Sequence, residues 1–302
     1  MKDFDMKIKR LINIELTSNC PAHCAMCPRD QVKEKGFMPY ETLKNIIDQI
    51  GNVNVWEITF SGRGEPTLHP DLPEMLSLCK KSPVTNALIT TAVIMNKNNI
   101  EACGKNLDIL RLSVSSFHKG TFEKIHRGLD YYKIWENINN LTDAMPQKIK
   151  VHFVGGETIY EHLKETIEFF HKKNIYSLYI FPLWNRGGNI AAKDSIKKRQ
   201  DLMDRFHLLP IEDEFCIKDK CIFNTYMQSK TSINKNYCFH GDSSALITFK
   251  GDMLGCFQDF GSNNAIGNVN QNSLKELLEK RFYRLGNMDI CKGCNSNLVT
   301  MI

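Results

Sequence analysis

The sequence predicts an α/β protein, with a parallel sheet and its covering helices over most of the chain and a smaller α+β unit at the C-terminal end. Three observations lead there. From residue 11 to about residue 188, short apolar runs alternate with amphipathic stretches, the rhythm of repeated β/α units. That rhythm stops after Arg186-Gly187-Gly188. Beyond it, two short strand-like runs flank Lys250-Gly251-Asp252, a turn sequence whose glycine can take positive φ.

Six strands are expected in the first part, at 11–16, 55–61, 87–91, 109–115, 149–154 and 176–181. Between the first two, Leu43, Ile46, Ile47 and Ile50 recur along one helical face, and Leu163, Ile167 and Phe170 repeat that spacing before the sixth. Both stripes read as core. The charged segment 193–205 reads as a bridging helix, and 245–249 with 253–257 as a hairpin. Ser273 is placed to cap a short helix carrying Leu274, Leu277, Leu278 and Phe282. The chain divides on this reading into 1–190, a bridge at 191–237 and a small domain at 238–302.

A chain of 302 residues, 42% of them hydrophobic, can build one large core and a smaller one. Its 39 basic and 34 acidic residues leave a charge of only +5, without a basic run, so neither a nucleic-acid footprint nor a polybasic membrane patch is indicated. Residues 1–10 lack the apolar region of a signal peptide, and no stretch of about 18 apolar residues occurs. A cytoplasmic location is expected. Eleven cysteines without a secretion signal then point to metal binding rather than to disulfides.

The first group, Cys20-Pro-Ala-His-Cys24-Ala-Met-Cys27, follows the first predicted strand, at the sheet edge where α/β folds build sites. Soft thiolates select zinc or an iron–sulfur cluster. Structural zinc wants a fourth ligand close by, for which His23 is the nearest candidate. A cubane held by three thiolates instead leaves one iron open to a chelating ligand.

This CxxxCxxC loop resembles the motif of radical S-adenosylmethionine (SAM) enzymes. The second strand leads into Gly62-Arg63-Gly64-Glu65-Pro66, which is similar to the GGEP element whose backbone recognises the SAM amino group. Alone, such a sequence is first a turn former; one strand after the cysteine loop it fits in order and spacing. Ser113, in the fourth strand, stands where the family contacts SAM, although a strand-edge serine needs no ligand. Ser115 stands where many relatives have an aspartate. Met26 replaces an aromatic residue that packs on adenine, a contact a thioether can also make. Arg127 and Arg186 are candidates for carboxylate or phosphate contacts, with solvated surface arginines as the alternative. The resemblance implies a partial (β/α)6 radical SAM barrel, a SAM-binding 4Fe-4S cluster and a flavodoxin- or ferredoxin-type reductant. In that family, one electron from the reduced cluster breaks a carbon–sulfur bond of SAM, giving methionine and a 5′-deoxyadenosyl radical.

The second group is Cys238, twelve residues, Gly251, four residues, Cys256, then Cys291-Lys-Gly-Cys294. Spacing alone admits a rubredoxin-like iron, a zinc knuckle or a cubane. The order resembles the twitch, or truncated SPASM, domain, which implies one auxiliary 4Fe-4S cluster suited to electron transfer. Cys216 and Cys221 lie in the bridge. Each is a small buried hydrophobe, a hydrogen-atom donor to a substrate radical, or, for Cys221, a cluster ligand in place of Cys291 or Cys294. Cys79 on a helix and Cys103 near a loop read as structural. The expected reaction is hydrogen abstraction from a small polar metabolite such as a sugar or aminocyclitol, giving dehydrogenation or epimerisation as in aminocyclitol dehydrogenase and aminoglycoside epimerase relatives. A peptide substrate is the second reading, favoured less because the first strand begins by Leu11, without room for a leader-recognition domain. A non-catalytic iron–sulfur or zinc protein is the third.

Overall fold

A computed structural model of the chain describes residues 9–154, 157–181, 196–208, 216–217, 220–221 and 238–292. The strands expected from apolar runs are present: β1 (Arg10–Ile14), β2 (Val55–Phe60), β3 (Thr85–Thr90), β4 (Ile109–Ser113), β5 (Ile149–Val154) and β6 (Leu178–Phe181). They pair in parallel in that order. Between them run α1 (Tyr40–Ile50), α2 (Leu72–Cys79), α3 (Lys97–Asn106), α4 (Lys119–Ile125), α5 (Tyr131–Ala144), α6 (Glu157–Tyr160) and α7 (Leu163–Lys172). Among the described residues the sheet is open, as a partial barrel requires, with β6 paired to β5 alone.

Helix α1 buries Leu43, Ile46, Ile47 and Ile50, the predicted stripe. Asn96 and Asp130 cap α3 and α5 through side-chain oxygens that accept from Asn99 N and Lys133 N, removing orphan donors of the first turn. Cys103 lies inside α3 rather than near a loop; the polar sequence of that helix hides its inner face. Burial pushes its thiol up to about 12 and that of Cys79 higher still, leaving both unreactive at neutral pH.

The bridging helix is α8 (Ile196–Phe206). The C-terminal segment begins with α9 (Phe239–Ser243), then β9 (Ser244–Ile247) and β10 (Asp252–Leu254), joined through Gly251 at φ 90°. Next come β11 (Ala265–Asn268) and α10 (Leu274–Arg284), the latter capped by Ser273 Oγ accepting from Glu276 N. The hairpin does not stand apart from the main sheet. Strand β9 pairs in parallel with β1, giving the order β11-β10-β9-β1-β2-β3-β4-β5-β6. The main core accordingly takes in Ala245, Ile247, Met253 and Leu277. A second, smaller core gathers Phe282, Leu285 and Met288. Among the described residues no helix is long and apolar enough to cross a membrane.

The two faces of the parallel sheet differ. Alternate residues of a strand point to opposite faces, and one set, including Ile12, Ile58, Phe60, Leu112 and Phe153, lies in the main core. The other set includes Asn13 on β1, Glu57 and Thr59 on β2, Arg111 and Ser113 on β4 and His152 on β5. Parallel sheets covered on both faces are normally apolar throughout. This one carries these polar groups on its inner face, interspersed with Ala87 and Ile89 on β3, Ile109 on β4 and Tyr179 on β6.

Candidate active site

Beyond β1, Thr17 forms a bridge with Phe37, and Thr17 Oγ1 donates to Gly36 O at 2.6 Å. These contacts turn the chain into a loop on which Cys20, Cys24 and Cys27 are all half-buried. The loop is stitched to the end of α4. His23 N donates to Arg127 O at 2.7 Å, Arg127 Nε to His23 O at 3.0 Å, and Ala25 N to Ile125 O at 2.8 Å. Arg127 thus clasps the cysteine loop with its side chain. His126 is 2% exposed; burial pushes its pKa down to about 4, and its Nδ1 lies 3.4 Å from Cys24 Sγ. Met26 packs against the main core.

The three thiols are a fit for a cationic iron–sulfur core. Burial pushes Cys24 up to about 12, and the charges of Cys27, Cys20 and Glu65 push the same way. Burial also raises Cys20. Holding three thiolates here therefore needs positive charge at their centre. Among the described residues no three His, Cys, Asp or Glu side chains converge on one ion; cubane ligands each meet a different iron, so convergence is not required of them.

The loop after β2 is locked onto the cysteine loop. Glu65 N donates to Asn19 O at 2.8 Å, and a Cβ on Gly64 would stand 2.0 Å from Thr17 O. Glu65 itself is 4% exposed. Its carboxylate accepts from Thr67 N and Oγ1, Thr90 Oγ1, and Thr91 N and Oγ1, at 2.6 to 3.1 Å. One side chain so ties together the loops after β2 and β3. Gly64→Ala is expected to force the two loops apart, costing about 1–3 kcal/mol of stability. Thermal unfolding measures the loss, and an unchanged midpoint would show that the close approach is dispensable.

Two buried ion pairs support these loops. Glu15, just past β1, receives Arg63 Nε at 2.7 Å and Nη2 at 2.8 Å. Arg111 Nη1 and Nη2 each donate to Glu57 at 2.8 Å. Neither pair was read from the sequence. The signal available was a charge inside an apolar strand run, Glu57 in β2 and Arg111 in β4. On the same inner face Ser113 is half-buried, next to His152 of β5 in register, whereas Ser115 is 2% exposed in the following loop.

Residues 14–170 match the radical SAM superfamily, and residues 238–295 match SPASM, an iron-sulfur cluster-binding domain. The chain belongs to the radical SAM superfamily. SAM and a 4Fe-4S cluster are the cofactors of this superfamily, and a SPASM domain implies auxiliary iron–sulfur clusters. The chain is 30% identical over 114 residues to PqqA peptide cyclase of Gluconobacter oxydans, a match to 37% of this chain and only 32% of that protein. Among solved structures it is similar to Streptococcus suis SuiB bound to its precursor peptide SuiA (TM-score 0.69, 15% identity). That match covers 90% of this chain and 65% of SuiB. It is also similar to BtrN in complex with AdoMet and 2-DOIA (TM-score 0.56, 17% identity), covering 96% and 94% of the two chains.

In this radical SAM chain the C-terminal cysteines gather around the smaller core. Cys238, Cys256 and Cys291 are half-buried and pack against Phe282, Leu285 and Met288. Gly241 N donates to Cys238 Sγ at 3.2 Å and Gln258 N to Cys256 Sγ at 3.4 Å. Cys294 and Arg186 lie outside the described residues. Cys216 and Cys221 stand directly opposite each other in the two-stranded pair β7 (Cys216–Ile217) and β8 (Lys220–Cys221).

Proposed function

We propose that the chain removes a hydrogen atom from an unactivated C–H of a small polar molecule and oxidises or inverts that carbon. The observation that carries this reading is the set of polar residues on the inner face of the sheet, which ends at the cysteine loop. Asn13 and Ser113 are half-buried there beside the buried Glu57–Arg111 pair, polar groups where a parallel sheet is ordinarily apolar, and a substrate rich in hydroxyl or amino groups suits such a lining. BtrN, similar along nearly the whole of both chains, was solved with 2-DOIA, which favours a small substrate. Membership in a family of enzymes replaces the non-catalytic reading.

Cys20, Cys24 and Cys27 are proposed to hold the SAM-binding cluster, with Gly62, Gly64, Glu65 and Pro66 forming the wall against which SAM rests. Ser113 is proposed to contact SAM from β4. The cluster and SAM together supply a 5′-deoxyadenosyl radical when the cluster is reduced. The residues of the chain orient the C–H and keep water away. Cys238, Cys256, Cys291 and Cys294 are proposed to hold one auxiliary cluster, which accepts the electron in an oxidation. In an inversion, Cys216 or Cys221 returns a hydrogen atom from its S–H, and the resulting thiyl takes up one electron from the flavodoxin- or ferredoxin-type reductant and one proton from solvent.

Anaerobic reconstitution with iron and sulfide, then dithionite and SAM, is expected to yield 5′-deoxyadenosine, with more formed when a panel of aminocyclitols, sugars and nucleosides includes the substrate. In deuterium oxide an inversion places deuterium on the product carbon, whereas an oxidation places none. Absence of 5′-deoxyadenosine from fully iron-loaded protein would overturn the reading. A peptide substrate is the second reading, supported by the likeness to PqqA peptide cyclase and to SuiB bound to SuiA; stimulation by peptides and not by small molecules would select it.

A further inference from the structure

Both turns that present Cys238 and Cys256 are fastened by one side chain of α10. Arg281 is 1% exposed. Its Nε donates to Leu254 O at 3.0 Å, its Nη2 to Ser244 O at 2.6 Å, and its Nη1 to Gly241 O. Gly241 in turn gives its amide to Cys238 Sγ, and Leu254 lies two residues before Cys256. The space is tight. A Cβ on Gly241 would lie 2.4 Å from Leu285 Cδ2 and 3.2 Å from Cys238 Sγ.

The guanidinium is thus buried with its hydrogen bonds spent on neutral carbonyls. Asp242, the carboxylate nearby, is engaged by Arg10 Nη2 at 2.8 Å, with both side chains buried. Burial pushes the Arg281 pKa down, and the negative charges of Cys256, Asp242 and Cys238 oppose that shift. Arginine stays protonated in such places. A buried cation needs an anion near it, and a cubane held by thiolates is one. Its negative charge grows by one unit on reduction, so a fixed positive charge beside two of its ligands favours the reduced state, strongly so where water is excluded.

We propose that Arg281 is a positioning residue that fixes the turns bearing Cys238 and Cys256 and, through its buried charge, raises the reduction potential of the auxiliary iron–sulfur cluster. This rests on the assignment of that cluster to the C-terminal cysteines. Where the enzyme oxidises its substrate, the raised potential makes the cluster a better acceptor for the electron of the substrate radical. Where it inverts the carbon, the same charge acts on a relay.

The test uses the full chain carrying Cys20→Ala, Cys24→Ala and Cys27→Ala, so that any remaining cluster signal comes from the second site. The protein is reconstituted anaerobically and titrated with dithionite, with the midpoint read by electron paramagnetic resonance. If this background binds no iron, the assignment itself fails and the inference falls with it. With iron bound, Arg281→Gln is expected to become about tenfold less reduced at a given potential, a negative shift of about 59 mV for one electron. Arg281→Lys loses the same fork but keeps the charge, and is expected to stay close to the parent. A Gln midpoint equal to that of Lys overturns the proposal, while the assignment stands. Should Arg281→Gln lose its cluster, Arg281→Met is read instead: a midpoint more negative than that of Arg281→Lys supports the proposal, whereas an equal or more positive one overturns it.

Discussion

Cys24→Ala is expected to reduce 5′-deoxyadenosine formation to background and to remove about four iron atoms per chain from the reconstituted protein. The size of the effect follows from the position of this thiol. Cys24 is the middle ligand of the proposed trio, it shares a contact with His126, and the loop on either side of it is pinned at His23 and Ala25. The shape of the loop therefore survives the substitution while the donor is gone, so structural collapse does not explain the loss. Cys79→Ala supplies the contrast. That thiol is fully buried in the main core, and its loss should cost roughly 1 kcal/mol through a small cavity with iron content unchanged. Iron and sulfide analysis of both variants decides the matter. A Cys24→Ala protein that keeps its iron and still cleaves SAM would remove the cysteine loop from the mechanism.

Arg63→Ala is expected to destabilise the apoprotein by about 3–5 kcal/mol, the usual consequence of leaving one partner of a buried ion pair alone. Glu15 is 1% exposed, and its carboxylate accepts from Arg63 N, Nε and Nη2 and from Phe249 N. Without the guanidinium a carboxylate is left in the interior without its paired cation. The same arginine donates from Nη1 to Phe260 O at 3.2 Å and to Ser262 Oγ, in the turn that follows Cys256. The substitution therefore loosens the first cysteine loop's neighbour and the second cysteine group together. Urea denaturation measures the stability loss; a change below about 1 kcal/mol would show that the pair is solvated in the working protein.

Much of the barrel was legible because its signals are local. The stripe of α1, the cap at Ser273 and the six strands each follow from residues a few positions apart. So does CxxxCxxC, whose meaning lies in spacing. Strand β6 starts at Leu178 rather than at 176, since Tyr176 is 63% exposed and Asn174 turns the chain at φ 58°. What escaped depends on partners distant in sequence. Arg63 needs Glu15, Arg111 needs Glu57, and Arg281 needs three carbonyls from two other turns; nothing beside these residues announces the match. Gly64 was legible as part of a motif, yet the reason for it, a backbone oxygen of the cysteine loop, belongs to the fold.

The parallel seam between β1 and β9 has a consequence for how the chain can be cut or made. Leu11 pairs with Ser244 and Ile14 with Ile247, so one flank of the first strand waits for residues synthesised more than 200 positions later. Loops of that length slow folding, and until they close, a bare strand margin is open to other chains. A fragment ending at Phe181 would retain every residue of the first cysteine loop and yet carry that raw margin into solution. It is expected to self-associate, and light scattering of such a fragment beside the full chain would reveal it.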